Sequence, residues 1–168
     1  MDTQHLALLT RLIQNEVEFC VIGGIAAIYY GSSLITHDLD VAAPLDELNI
    51  PRIIRALDGT HPRFRMHPAR PPLPDEPQRL KGFRNLCLAT DIGVIDILGE
   101  VTGVGDSADV ISQSQAVEVE PGLTCRVLRL EALIAAKRAA GRPKDLRAVA
   151  ELTVILEKER DRSGETNE

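Results

Sequence analysis

Several features that would assign the chain to a familiar class of protein are missing from its sequence. The three cysteines, Cys20, Cys87 and Cys125, lie far apart among apolar neighbours. They indicate reduced, buried thiols and argue against a disulfide framework or a zinc knuckle. No apolar run approaches the roughly 18–20 residues that a membrane span requires. The opening residues carry acids but no basic n-region, so we expect a cytoplasmic protein without a signal peptide.

The chain also lacks an overall surplus of positive charge. Its formal net charge is −6, which argues against an affinity of the whole surface for nucleic acid or anionic membrane. The exception is residues 61–84, here called the basic segment. It carries Arg63, Arg65, Arg70, Arg79, Lys81 and Arg84 against Asp75 and Glu76. The segment either faces a phosphate-bearing partner or is an exposed, proline-stiffened loop, and the sequence leaves both open.

What is present is the composition of a globular protein, with 44% hydrophobic and 26% charged residues. Leucines at helical spacing in LALLTRLI predict an amphipathic first helix. EFCVIGG and HDLDVAA predict strands, while NLCLAT with GVIDILG, and QAVEVEPGLTCRVL, predict two hairpins. Further helices are predicted for IAAIYYG, LDELNIPRIIRALD, LEALIAAKRAAG and RPKDLRAVAELTVILEKE. The prolines from Pro62 to Pro77 exclude long regular structure there.

These elements predict an α/β (α+β) domain, with a small mixed β-sheet, flanking helices and a C-terminal helical segment. A chain of 168 residues is long enough to bury one core. We expect a single domain over residues 1–158, with the sheet at about 17–128 and the C-terminal helices at about 130–158. Residues 159–168 have nothing apolar to bury and are expected to be disordered.

Three aspartates in predicted strands indicate a metal site. Asp38 and Asp40 are two residues apart, so their side chains leave the same face of a strand. Asp96 is an isolated acid inside the apolar run VIDIL, where an unpaired charge would be costly to bury. A divalent cation such as Mg²⁺ takes oxygen ligands of this kind and would relieve their mutual repulsion.

Each of these signals also has a bland structural explanation. A D-x-D pair is more often a solvated strand face or a turn, and an acid in an apolar strand is more often at the strand end or paired with an arginine. The combination is what favours a site: a strand ending at Gly23 and Gly24, a helix, Asp38 and Asp40 on the next strand, and Asp96 on a later one.

This combination resembles the nucleotidyltransferase superfamily with a polymerase-β-type palm. In that pattern a hydrophobic residue and G-[G/S] precede D-h-D-h, and a later strand adds one carboxylate. Here IGG at residues 22–24 and DLDV at residues 38–41 are thirteen residues apart, and VIDIL follows. The wider runs GGIAAIYYGSSLITHDLDV, VIDILGEVTGVGD and LEALIAAKRAAGRPKDL are similar to small bacterial members akin to AbiE-type toxins. The resemblance covers about residues 17–156.

The resemblance implies a nucleotidyltransferase fold and a role for two turns. Gly23 and Gly24 would let backbone amides approach the triphosphate of an NTP at a helix N-terminus, where the helix dipole favours anions. Gly31, Ser32 and Ser33 would form a second turn near the phosphates, with the serine hydroxyls as donors.

The resemblance also implies roles for charged residues. Asp38 and Asp40 would hold Mg²⁺ (or Mn²⁺) that bridges the β- and γ-phosphates. Asp96 would help to bind a second ion and assist deprotonation of the attacking hydroxyl, as in two-metal catalysis. Lys137, together with Lys144, would grip the nucleotide phosphates.

After the palm, Lys137 and Asp145 match a basic and an acidic position of the toxin-type members. The alternatives are an exposed helix lysine and an acid at a helix start. Leu34 departs from the pattern, because many relatives have a phosphate-contacting arginine there. Arg84, Lys137 or Arg142 would have to replace it.

The function implied is metal-dependent transfer of an NMP from an NTP, such as ATP, to a hydroxyl of RNA, a protein or a small molecule. Toxin-like members act in bacterial defence or toxin–antitoxin systems, so a cognate partner protein is expected, whereas a membrane partner is not. The oligomeric state is open, a homo-oligomer included. The alternative is a catalytically degenerate binding or antitoxin-like module, which Leu34 favours. A Rossmann-type dinucleotide binder is disfavoured because G-x-G-x-x-G is missing.

Overall fold

The chain folds into a mixed β-sheet covered by helices, and the predicted α/β class is confirmed. The computed structural model describes residues 3–165. The helices are α1 Thr3–Gln14, α2 Gly23–Tyr29, α3 Asn49–Leu57, α4 Ser107–Ser112, α5 Leu130–Ala140 and α6 Pro143–Glu165. The strands are β1 Cys20–Val21, β2 Asp38–Ala42, β3 Arg63–Phe64, β4 Asn85–Thr90, β5 Gly93–Leu98, β6 Glu100–Val101, β7 Gly105–Asp106, β8 Ser114–Glu120 and β9 Leu123–Leu128.

Seven strands of the described chain form one sheet, in the order β3-β4-β5-β2-β1-β9-β8. The central strands β2 and β5 run parallel, with Asp40 opposite Asp96. A parallel pair needs a long connection, and here α3, the basic segment and β4 lie between the two strands. β4 and β5 form an antiparallel hairpin, and β6 pairs separately with β7. The β2–β5 register decides which side chains meet at the centre of the sheet.

Alternation along the central strands separates the core from the acids. Leu39 and Val41 of β2 are buried, as are Ile95 and Ile97 of β5. The aspartates between them point to the other face, since successive side chains of a strand alternate. α1 packs a leucine-rich face against α3 and the sheet and so closes the apolar core.

Most predicted elements are present, with local differences. The strand predicted for EFCVIGG is limited to Cys20–Val21, because Gly23 already begins α2. Both predicted hairpins are found. Gly141 ends α5 in the left-handed conformation, with φ of +64°. The unpredicted α4 begins with a capping box between Asp106 and Asp109, a local signal of a helix start.

The expected disordered tail needs correction. α6 continues to Glu165, so residues 159–165 are helical, and residues 166–168 lie outside the described part of the chain. Arg160 of this last stretch lies 3.6 Å from Glu131 of α5, measured from Nη2 to Oε1. This contact joins the last part of α6 to α5. Within residues 3–165, no helix combines the length and the apolar character that crossing a bilayer demands.

Candidate active site

Three carboxylates meet where β2 and β5 lie side by side. Asp38 and Asp40 leave β2 on one face, and the parallel register places Asp96 of β5 beside Asp40. One carboxylate oxygen from each aspartate lies within 4.8 Å of the others. Oxygens on opposite sides of one divalent ion are about 4–5 Å apart, given metal–oxygen distances of about 2.0–2.6 Å. The structure thus brings the three predicted metal ligands together, and we call them the acidic wall.

Burial and neighbouring groups change the pKa of Asp40 and of Asp38, in opposite directions. Burial, followed by the charges of Asp38 and Asp96, raises the pKa of Asp40 to about 6. For Asp38, burial alone would raise the pKa, but hydrogen bonds, the largest of them from Thr36, and nearby basic side chains lower it overall. The repulsion in the acidic wall is therefore concentrated on Asp40.

A cation that the sequence does not predict as part of the site, Arg65, already contacts Asp96. Arg65, directly after β3, donates from Nε to Oδ1 of Asp96 at 3.1 Å and from Nη2 to Oδ2. Nη2 also lies 3.9 Å from Oδ2 of Asp38. The charge of the basic segment and the tendency of strand acids to pair with arginine were the signals that pointed to this contact.

Two glycines border the acids at points where a side chain would collide with the site. A Cβ on Gly23 would lie 2.1 Å from Oδ2 of Asp40, and the φ of Gly23 is +63°. A Cβ on Gly24 would lie 2.6 Å from the side chain of Thr36, whose hydroxyl donates to Asp38 at 2.9 Å. Both glycines line the same cavity as the acids, where the sequence predicts them.

A second group of charges in this cavity comes from the junction of α5 and α6. It consists of Lys137, Arg142, Lys144 and Arg147, which we call the basic wall. The Nζ of Lys137 lies 3.7 Å from Oδ1 of Asp145, and Nε of Arg142 donates to Oδ2 of the same residue at 2.5 Å. Burial lowers the pKa of Lys137, an effect that Asp145 opposes. Asp145, itself buried, therefore orients two of these cations.

The second turn that the sequence predicts to contact phosphates makes its hydrogen bonds with another part of the chain. The hydroxyl of Ser32 donates to Oε2 of Glu151 in α6 at 2.7 Å, and the backbone N–H of Ser33 donates to Oε1 at 2.8 Å. These hydrogen bonds lower the pKa of Glu151. Gly31, Ser32 and Ser33 are not among the residues that line the cavity. The expectation that this turn offers donors to a phosphate is corrected, because a carboxylate of the same chain occupies them.

The cavity between the two walls measures about 500 Å³. Apolar side chains, Leu34, Leu98 and Leu133 among them, lie between the charged groups. Arg84 does not line the cavity, whereas Arg142 does. The basic wall therefore carries positive charge that the uncharged Leu34 does not provide. A concave site of this size with a few convergent charged groups is typical of a small-molecule pocket.

The sequence matches none of the known protein families with which it was compared, and no curated protein is significantly similar to it. Among solved structures, the fold is similar to that of a protein from Thermotoga maritima that is provisionally described as a nucleotidyltransferase. The identity is 18%, the TM-score is 0.47, and the match covers 96% of this chain and 89% of that chain. Values this low carry no information about function.

Proposed function

We propose that this protein is a metal-dependent nucleotidyltransferase that moves an NMP from an NTP to a hydroxyl group of a second molecule. One observation carries the proposal: three carboxylates with oxygens within 4.8 Å of one another share a cavity with four basic side chains. Carboxylates suit a divalent ion, and basic side chains suit a triphosphate. A nucleotide bound with a metal ion needs both kinds of group in one place.

The acidic wall has the donor set of a divalent-metal site. Asp38 and Asp40 would hold Mg²⁺ or Mn²⁺, since hard cations prefer carboxylate oxygens. Burial and, after it, the charges of Asp38 and Asp96 raise the pKa of Asp40, and such an ion would relieve the repulsion among these charges. When bound, the ion would supply positive charge to the phosphate oxygens during transfer.

The basic wall would bind and orient the triphosphate. Lys137 and Arg142 form ion pairs with Asp145. The positive charge of Lys144, on the same wall, helps to lower the pKa of Asp38. Hydrogen bonds from charged donors to phosphate are strong and directional. Gly23 and Gly24 keep the approach beside Asp40 and Thr36 free of side chains.

In the transfer, the acceptor oxygen forms a bond to the α-phosphorus of the NTP, and the bond from that phosphorus to the pyrophosphate oxygen breaks. The basic wall stabilises the negative charge on the departing pyrophosphate. Asp96 accepts the proton of the attacking hydroxyl in this proposal, as a general base. Asp38 and Asp40 would hold the ion, which would supply positive charge next to the bound triphosphate and so help to orient it for transfer.

We favour RNA as the acceptor. Arg63, an exposed arginine of the basic segment, lies on β3 next to β4, whose partner β5 carries Asp96. Positive charge beside a catalytic site attracts a phosphate backbone. Protein and small-molecule acceptors, and a toxin–antitoxin or defence role with a cognate partner protein, are the alternatives that the experiment separates.

The test uses NTPs radiolabelled at the α-phosphate, with Mg²⁺, total RNA and a cell lysate. We expect label from one NTP to enter RNA, and no label with EDTA or with the Asp38→Asn variant. In parallel, NTP and Mg²⁺ together should raise the melting temperature more than either alone. Failure of every NTP to shift the melting temperature would remove the nucleotide from the proposal.

A nucleotide-binding module without turnover is the second candidate. The contact of Arg65 with both oxygens of Asp96 favours it, because both oxygens already accept hydrogen bonds from a guanidinium, with which the attacking hydroxyl would have to compete. This candidate predicts stabilisation by NTP with Mg²⁺ and no label in any acceptor, and so differs from the first in one measurable result.

A further inference from the structure

The guanidinium of Arg65 lies where a second divalent ion would have to sit. Two of its nitrogens contact the two carboxylate oxygens of Asp96, and Nη2 is 3.9 Å from Asp38. A second ion in a two-metal site would use Asp96 and share a neighbouring carboxylate. The guanidinium and that ion would therefore compete for the same oxygens.

We propose that Arg65 is a built-in cation that replaces the second divalent ion, so that the site binds one ion, between Asp38 and Asp40. The inference rests on the proposed function, since it concerns the metal ions of the same site. It makes Arg65 a positioning residue, which acts through Asp96.

The charges in the acidic wall agree with one ion. Three carboxylates contribute three negative charges, and the ion pair with Arg65 neutralises one of them. The two that remain equal the charge of one divalent cation. A further divalent ion on Asp96 would lie a few ångströms from the guanidinium, where like charges repel strongly in a partly buried site.

The backbone around Arg65 holds it in this place. Its N–H donates to the carbonyl oxygen of Cys87 at 3.0 Å, and Cys87 lies opposite Asp96 in the β4–β5 hairpin. The preceding residue, Phe64, stacks on Phe83 with ring centroids 5.6 Å apart. The side chain of Arg65 is 29% exposed, less than half the exposed fraction of the surface residues Arg79 and Arg160, at 68% and 67%. The ion pair is therefore anchored by packing as well as by charge.

The test counts the Mn²⁺ ions bound by the nucleotide-free protein, from the loss of the free-ion signal in electron paramagnetic resonance. We expect one ion for the wild type and for Arg63→Gln, the matched control two residues before Arg65 in the chain. Arg65→Gln removes the charge and frees Asp96, so we expect two ions, with the broadened spectrum of two neighbouring Mn²⁺ centres. Arg65→Gln/Asp96→Asn should return the count to one.

Equal counts for the wild type and Arg65→Gln would overturn the inference, as would two ions on the double variant. If Arg65→Gln does not fold, the wild type and the double variant still decide: equal counts support the inference, and a higher count for the wild type overturns it. Two ions on the wild type would leave the proposed function standing. No ion on the wild type would overturn both, so the number of bound ions tells the two failures apart.

Discussion

The two walls of the cavity are built in opposite ways. The acidic wall joins residues of β2 and β5, two strands far apart in sequence that meet through their parallel register. The basic wall comes from one stretch, residues 137–147, where α5 ends and α6 begins. The first depends on the whole sheet, while the second needs one helix–helix junction. A change in the core should therefore disturb the acids before it disturbs the basic side chains.

The walls also differ in how their charges are balanced. Asp145 pairs with Lys137 and Arg142, so the basic wall carries its own counter-charge. In the acidic wall, Arg65 contacts Asp96, while the pKa of Asp40 is raised to about 6 by burial and by its acidic neighbours. The acidic wall is therefore the part of the molecule that gains most from an added cation.

Removing one acid should give the largest effect. Asp38→Asn or Asp40→Asn should lower nucleotidyl transfer by about a thousandfold or more, because the ligands of the ion are lost. The fold should persist, since a repulsive charge is removed. The measurement is the rate of label transfer, with circular dichroism to confirm folding and the exposed Asp58→Asn as control. Transfer at the wild-type rate by either variant would exclude that residue from the mechanism.

On the basic wall, Lys137→Met should weaken NTP binding by about tenfold to a hundredfold, since a hydrogen bond to a charged group contributes about 1.5–3 kcal/mol. Methionine keeps most of the apolar volume of the buried stem, and Arg142 remains as a partner for Asp145. Calorimetric titration with NTP and Mg²⁺ measures the effect. Lys158→Met, on the exposed side of α6, is the control and should bind normally. Unchanged affinity in Lys137→Met would contradict a phosphate contact.

The difference in charge balance between the two walls can be tested by measuring the free energy of unfolding as a function of pH. The pKa of Asp40 rises from 3.8 to about 6 on folding, so the folded state binds more protons between these values. Without divalent ions, the free energy of unfolding should therefore fall as the pH rises from about 4 to about 7, by up to about 3 kcal/mol.

Asp40→Asn should remove this dependence, and Mg²⁺ should restore stability to the wild type near pH 7. Urea unfolding in EDTA at several pH values gives the measurement. The lowered pKa of Asp38 affects stability over another pH range. Its stabilising contribution is present above about pH 3.8 and is lost as the pH falls below that value. If the free energy of unfolding of the wild type increased over the same rise in pH, the charges of the acids would already be neutralised by neighbouring cations.

The smallest effect on stability and NTP binding is expected for a substitution outside both walls. Ser32→Ala removes a hydrogen bond to the partly buried Glu151, so it should lower the melting temperature slightly and leave NTP affinity unchanged. Ser32→Ala in a Glu151→Gln background should add little further loss of stability, because the two groups act as a pair. Titration with NTP is the decisive measurement. A loss of about tenfold in NTP affinity would instead indicate that this turn contacts the phosphates.

The elements of the fold could be predicted well from local signals. Leucines at helical spacing, the glycine after α5 and alternating apolar residues in the strands each reflect short-range constraints. The sequence does not predict the extent of α6, which continues to Glu165 beyond the last apolar residues. It predicts neither the short strands β6 and β7 nor the order of strands in the sheet, because pairing partners are set by the whole chain.

The site was predicted in part. Asp38, Asp40 and Asp96 meet as expected, because D-x-D spacing fixes one face of a strand and an acid inside an apolar strand must find a partner. Arg65 as the partner of Asp96, Arg147 in the basic wall, and Glu151 closing the turn at Ser32 were not predicted. All three bring together segments that are distant in sequence or on different elements.

The sequence by itself determined which chemical groups are available: three strand carboxylates, two glycines where no side chain fits, and a basic stretch at the start of the last helix. Tertiary structure decided which of them face one another. The parallel register of β2 and β5 put Asp96 beside Asp40, and the path of the basic segment put Arg65 on Asp96. Charges act over a few ångströms in a partly buried site, so their partners follow from packing, which a linear pattern does not contain.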